Sequence, residues 1–325
     1  SACVSLALRK LASESGEQLP GLPALWRRHA PSALRPLSFI SGIAVASAIA
    51  CLLGFLLYRG LPTLGPSLLF GDTPPLRALL GTLPVWDGIW PACAGTFCLI
   101  VTTMLLAVGP GIGCGIYLAE YASPSMKQRF GVLMDVLAGI PSIVMGIFGF
   151  TLILFLHRLG IAGASPGILL AGGCLALLVL PSLVVTTRTA LEGLPASLRL
   201  TGFALGLTRS QTVRHILVPQ ASRGILGGVM LAMGRAAEDT AVILLTGVVA
   251  NAGLPSGLAV RFEALPFFIY YTAAQYQTPE ELERGFGASL TLLLLSGSLL
   301  LAAWWLHARY QRRKDAHSLR EGVSA

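Results

Sequence analysis

Along this chain, long apolar runs alternate with short polar connectors marked by glycine and proline. A helix crossing a bilayer needs roughly 20 mostly apolar residues. Six segments qualify: Ser38–Tyr58, Pro91–Leu118, Phe130–Leu156, Gly167–Thr187, Gly224–Ala250 and Gly285–His307. Hydrocarbon offers no partners to backbone N–H and C=O groups, so each segment is expected to be helical. The pattern predicts an all-α membrane protein with six transmembrane helices. Residues 1–37 form an N-terminal segment, 38–307 the transmembrane domain and 308–325 a basic tail.

Composition agrees: of 325 residues, 54% are apolar and 12% charged, against about 25% charged in soluble domains. The net charge of +8 does not imply nucleic acid, because basic residues gather in the cytoplasmic loops of bilayer proteins. Placing the N-terminus inside puts Arg9, Lys10, Arg27, Arg28, Arg35, Lys127 and Arg129 on the cytoplasmic face. The loop residues Arg188, Arg199, Arg209, Arg214 and Arg223 join them, with Arg309, Arg312, Arg313, Lys314 and Arg320 at the end. The other face keeps Arg59, Arg77, Arg158, Arg261 and Arg284. This bias predicts both termini in the cytoplasm. Cys3, Cys51, Cys93, Cys98, Cys114 and Cys174 lack CxxC spacing and mostly sit in apolar runs, so they read as small core residues. The first apolar run is too long for a signal-peptide core.

Between the fourth and fifth spans, residues 188–223 are too long for a plain connector. Pro195 suits a helix start, and Ala196–Leu205 has apolar residues at helical spacing. Gly206 breaks that pattern, Thr208 offers a cap, and Arg209–Val218 resumes it until Pro219. Two short helices meeting at a glycine are predicted. Such an element suits force transmission; lying as a basic amphipathic loop on anionic headgroups is the alternative.

Asp135, Arg235, Glu238 and Asp239 fall inside predicted spans. A charge at the bilayer centre costs at least about 2.5 kcal/mol and usually faces a cavity or a partner. Arg235 precedes Glu238 by three positions and Asp239 by four, so a continuous helix brings all three together. They form either a structural ion pair or an arginine lining an anion path, since guanidinium can donate two hydrogen bonds to an oxyanion. Pro141 is expected to kink its span, while Ser142, Gly139 and Gly146 permit close helix packing. Gly109-Pro-Gly-Ile-Gly113 lacks the strand context of a nucleotide loop. No catalytic constellation, metal site or cofactor motif is present, and none of these is expected.

Several of these segments carry a resemblance. Gly206, Ile216 and Pro219 fit the frame of the EAA loop of ABC importer permeases, although Leu200-Thr201-Gly202 stands where the family has Glu-Ala-Ala. Leu231-Ala-Met-Gly-Arg235-Ala-Ala-Glu-Asp-Thr240-Ala241 resembles the fifth-span motif of phosphate permeases of the PstA/PstC type. Leu137-Ala-Gly-Ile-Pro141-Ser142-Ile-Val-Met-Gly146 resembles the third-span signature, and Gly113-Cys-Gly-Ile-Tyr117-Leu-Ala-Glu120-Tyr121 and Leu265-Pro266-Phe-Phe-Ile269-Tyr270 also fit, leaning toward PstA. Glu238 replaces a family glycine, Asp239 a glutamate and Val242 a proline.

The resemblance implies a MetI-like type I ABC importer permease fold in a bacterial inner membrane. It implies a second permease (PstC-like or a copy of itself), an ATP-binding subunit dimer and an external phosphate-binding protein, with ATP hydrolysis on a separate chain. Arg235, Glu238, Asp239 and Thr240 would line the substrate path. Arg199, Leu200, Thr201, Gly202, Gly206, Arg209 and Pro219 would couple to the ATPase. A permease for sulfate or molybdate and a non-transporting scaffold or sensor subunit are the alternative readings.

Overall fold

The structure, a computed structural model, describes residues 24–79, 83, 85–160 and 165–323, with side chains omitted at 24–37 and 310–323. Cys3, Arg9 and Lys10 lie outside the described residues, as do the side chains of Arg27, Arg28, Arg35, Arg312, Arg313, Lys314 and Arg320. The chain divides into two units, Ser1–Leu57 and Tyr58–Ala325. The first holds most of helix α1, Ala24–Gly60, whose apolar residues Phe39, Ile40, Ile43 and Leu52 are exposed.

The second unit begins with the short helices α2 (Pro66–Phe70) and α3 (Pro75–Leu79). It continues through α4 (Trp90–Glu120), α5 (Pro124–Ala138), α6 (Ser142–Arg158) and α7 (Ile168–Glu192). Then follow α8 (Ala196–Ala204), α9 (Arg209–Thr212) and α10 (Val218–Glu238), with α11 (Ala241–Thr246), α12 (Leu265–Gln275) and α13 (Pro279–Val323) completing it. Apart from one isolated bridge between Val248 and Phe262, every regular element among the described residues is helical. Among the described residues, five helices are long and apolar enough to cross a membrane, and six spans result if the bent pair α5–α6 is counted as one.

Helices α4 and α7 form the spine. Their approach is set by small residues: a Cβ placed on Gly115 would lie 2.6 Å from the Cβ of Thr187, so no larger residue fits that crossing without displacing α7. Buried Ala107 and Val179 meet Ala232 and Ala236 of α10. On the other side of the spine, Leu99, Leu175 and Ile168 pack with Ile243 and Phe262.

Two spans are not the continuous helices expected. The predicted Phe130–Leu156 segment breaks between α5 and α6, which are bent by 92°. Gly139 closes α5, and extended Pro141 (ψ 138°) opens α6. A proline kink inside one helix is therefore replaced by a right-angle change of direction between two helices. The predicted Gly224–Ala250 segment breaks at Asp239, whose backbone is extended (ψ 111°). Nor does Pro219 end its helix: a π turn over Val213–Leu217 runs directly into α10. The proline is the second residue of α10, directly after the π turn.

Beyond α11 the chain forms a tight loop. Val249 N donates to Phe262 O at 3.0 Å, Leu169 N to Leu258 O at 2.8 Å, and Leu265 N to Thr96 Oγ1 at 2.8 Å. Glu263 is buried in it at 9% exposure and accepts from Gly253 N at 2.8 Å. Burial pushes its carboxyl above the usual value, and the amides of Gly253 and Ala252 only partly offset that. A carboxyl with a raised folded pKa favours folding most below its unfolded value of 4.5, and that contribution is lost as pH rises through the folded value. Glu263→Gln should therefore raise the thermal midpoint of the purified protein at pH near 8, with the gain shrinking as pH falls toward 4.5. A gain that instead grows toward acid pH would contradict this assignment.

Candidate functional site

The two broken spans meet. A Cβ on Gly146 of α6 would lie 3.0 Å from Ala241 O and 3.3 Å from the Cα of Val242, and one on Gly149 would lie 2.7 Å from Thr246 Cγ2. Helix α11 therefore rests against the start of α6 at backbone distance. Pro141 and Ser142 stand at the opening of α6, beside this contact. Discontinuous helices at such a junction are where transporters commonly place binding sites.

The charges arrange themselves around the second break. Asp239 Oδ1 accepts from Val242 N at 2.9 Å, capping the first turn of α11 with an orphan backbone donor satisfied. Thr240, half-buried, begins that turn, its carbonyl accepting from Leu244 N at 3.1 Å. Glu238 is exposed, Arg235 half-buried between buried Ala232, Ala236 and Ala237. The ion pairs found among the described residues do not include Arg235. The expected Arg235–Glu238–Asp239 cluster is thus absent, because the break that Asp239 caps removes it from the helical register that would have brought it back to Arg235. A guanidinium remains one turn before the break without a carboxylate within 4.0 Å. Asp135, also flagged by sequence, is exposed near the end of α5.

The loop between α7 and α10 follows its expected course at the turn. Helix α8 starts after Pro195, and Gly206 adopts the left-handed conformation (φ 72°) that favours glycine. Thr208 and Gln211 form a capping box at the start of α9. Of the three residues at the motif's named positions, Leu200 and Thr201 are exposed and Gly202 is buried. A Cβ on Gly202 would lie 2.5 Å from Thr212 Cγ2 and 2.6 Å from its Oγ1. The glycine is what lets α8 cross the end of α9 with threonine there.

Arg199 does not face outward as expected for an ATPase contact. Its Nη2 donates to Glu120 Oε1 at 2.7 Å and to Leu191 O at 2.9 Å; its Nη1 donates to Leu194 O at 3.2 Å and its Nε to Glu120 Oε1 at 3.2 Å. Glu120 closes α4 with its side chain 7% exposed. Alongside, Lys127 Nζ donates to Ala119 O at 2.9 Å and to Glu192 Oε1 at 3.0 Å, and Arg188 Nε reaches the same oxygen at 3.0 Å. Arg209 is also drawn back, its guanidinium 5.2 Å from the Tyr121 ring centre. Sequence reasoning quoted Glu120 within a motif but gave it no role. Its partner stands 79 positions away, and no local spacing announces such a pair.

Comparisons with known proteins place these features in context. Residues 111–315 match the family described as binding-protein-dependent transport system inner membrane component. The phosphate transport system permease protein PstA 1 of Mycobacterium tuberculosis is 32% identical over 243 residues, covering 73% of this chain and 77% of the relative. PstA of Haemophilus influenzae is 31% identical over 288 residues, covering 87% and 96%. PstC of Mesorhizobium japonicum is 32% identical over 217 residues, covering 60% and 63%.

Removing one partner of a buried ion pair costs about 3–5 kcal/mol; the effect here should fall somewhat lower, because the Arg199 side chain stays 27% exposed. Glu120→Ala and Arg199→Ala should each lower thermal stability in detergent, and the double variant should be no worse than the worse single one. Additive losses in that double-mutant cycle would show that the two residues act independently.

Proposed function

This chain belongs to the family of binding-protein-dependent transport system inner membrane components, and from that premise we propose that it is the membrane permease subunit of an ATP-driven phosphate importer. The substrate follows from relatives named as phosphate permeases over most of the chain. One structural observation carries the site: Arg235 is half-buried one turn before a helix break, with no carboxylate spent on it. An uncompensated guanidinium beside a discontinuous helix suits a tetrahedral oxyanion, to which it can donate two charge-assisted hydrogen bonds.

In this reading Arg235 binds phosphate in transit. Thr240, at the start of α11, would line the path beyond the break, and Asp239 preserves the break by capping α11 rather than by touching substrate. Exposed Glu238 contributes negative charge at the path's edge, which weakens the grip on the anion and favours release. The proposed orientation keeps both termini and the α8–α9 loop in the cytoplasm, following the distribution of arginine and lysine. The transporter would hold a second permease, two ATP-binding subunits and an external phosphate-binding protein. The α8–α9 loop docks on one ATP-binding subunit, and the Glu120–Arg199 bonds pass its displacement to α4.

The test is reconstitution with the partner permease, the ATP-binding subunit and the binding protein in vesicles, followed by uptake of labelled phosphate and sulfate. Phosphate uptake should require ATP. Arg235→Ala should reduce uptake about tenfold or more, the scale of losing hydrogen bonds to a charged group, while the complex still assembles. Uptake without ATP would sink the importer reading, sulfate preference would sink the substrate, and loss of assembly would return Arg235 to a structural role.

A further inference from the structure

The segment before α4, the loop after α11, helix α12 and the start of α13 together enclose a cavity of about 150 Å³. A space of that size holds a molecule as large as benzene. None of its lining residues belongs to the site around Arg235. Three aromatic side chains line it: Trp86, Phe267 and Tyr271. The last two lie one turn apart on α12, with ring centres 6.1 Å from each other. Two carboxylates share the lining, Asp87 exposed and Glu263 buried. The ion pairs found among the described residues include neither, although Arg284 stands at the same cavity. Glu263 accepts from Gly253 N at 2.8 Å and from the Ala252 amide. A carboxylate offers about four lone-pair sites, so acceptor capacity is left over.

We infer that this cavity binds a small organic ammonium ion, its cationic head held against the rings and the carboxylates of Asp87 and Glu263. Aromatic faces and carboxylates attract the same charge, and alkylammonium groups suit both. An oxyanion would meet two carboxylates there. A hard divalent cation takes six or more oxygen ligands, which rings do not supply. An uncharged molecule would leave Glu263 without the counter-charge that a buried carboxylate needs. Arg284 is exposed, so water weakens its repulsion, whereas Glu263 acts from a desolvated position where charges interact more strongly. Burial also pushes Glu263 toward its protonated form, and a bound cation would displace that proton. The site stands on its own residues and does not depend on the transport reading.

The experiment is calorimetric titration of the purified full chain in maltoside detergent with choline, a permanent cation that carries no proton to lose. Saturable binding in about the millimolar range is expected, the scale for a small ligand held by one charge and a few ring contacts. The uncharged isostere, with carbon in place of the quaternary nitrogen, should not bind. Glu263→Gln should weaken choline binding about tenfold or more, the scale of losing a charged partner. That variant keeps its fold, because it is the one expected above to gain stability near neutral pH. Trp86→Ala removes an exposed ring and should weaken binding about threefold. Wild-type affinity should also rise from about pH 5 to about pH 8, as Glu263 gives up its proton; Asp87, Tyr271 and Arg284 are the other titratable or charged groups lining the cavity. Absence of saturable binding would overturn the inference, as would equal binding of the isostere. Undiminished binding by Glu263→Gln, or an affinity that does not change with pH, would overturn it as well.

Discussion

Much of this structure depends on the carboxylate of Glu120 and the guanidinium of Arg199. A helix of nine residues, α8, is too short to hold its own shape in water, where isolated helices below about 12–15 residues are marginal. Tertiary anchoring has to supply what propensity does not. The anchor is a charged, multiply hydrogen-bonded contact to the last residue of α4, reinforced by two carbonyls from the end of α7. Since α4 and α7 are the spine, this contact ties α8 to the packed centre of the described fold. The contact is also directional: a guanidinium gripping a carboxylate through two nitrogens fixes orientation as well as distance.

The second constraint is the interruption of two spans. Backbone groups freed inside a bilayer must find partners within the protein, and both breaks meet that demand locally. Asp239 caps α11, while the start of α6 follows an extended proline that has no N–H to satisfy. The glycines of α6 then bring the second halves of the two broken spans together at backbone distance. The arrangement fixes Asp239 as the cap of α11, so that this carboxylate holds the break rather than pairing with Arg235.

The spans themselves could be read from apolar runs, because their signal is local and additive. So could the Gly206 turn and the Thr208 cap, where residue type dictates backbone conformation. What escaped had two physical sources. Pro141 and Pro219 carry the same local message, yet one accompanies a 92° change of direction and the other is absorbed into a continuous helical track; the surrounding packing decides which. The charged residues were placed by assuming unbroken helices and outward-facing arginines. The break took Asp239 out of register with Arg235, Glu238 stays on α10 yet makes no ion pair with it, and Arg199 found an unexpected partner far along the chain.

The π turn at Val213–Leu217 has a mechanical consequence. It joins α9 to α10 in one helical track, so the segment beginning at Arg209 also carries Arg235. Gly228 lets it approach Thr186 of α7 closely, since a Cβ at that glycine would meet the threonine side chain. At about 1.5 Å per residue, Thr212 lies roughly 24 Å from that contact on one side and Arg235 roughly 10 Å on the other. A rigid tilt about this fulcrum would move the loop end more than twice as far as the guanidinium, and in the opposite sense. Such a lever would turn a coarse displacement at the loop into a finer one at Arg235.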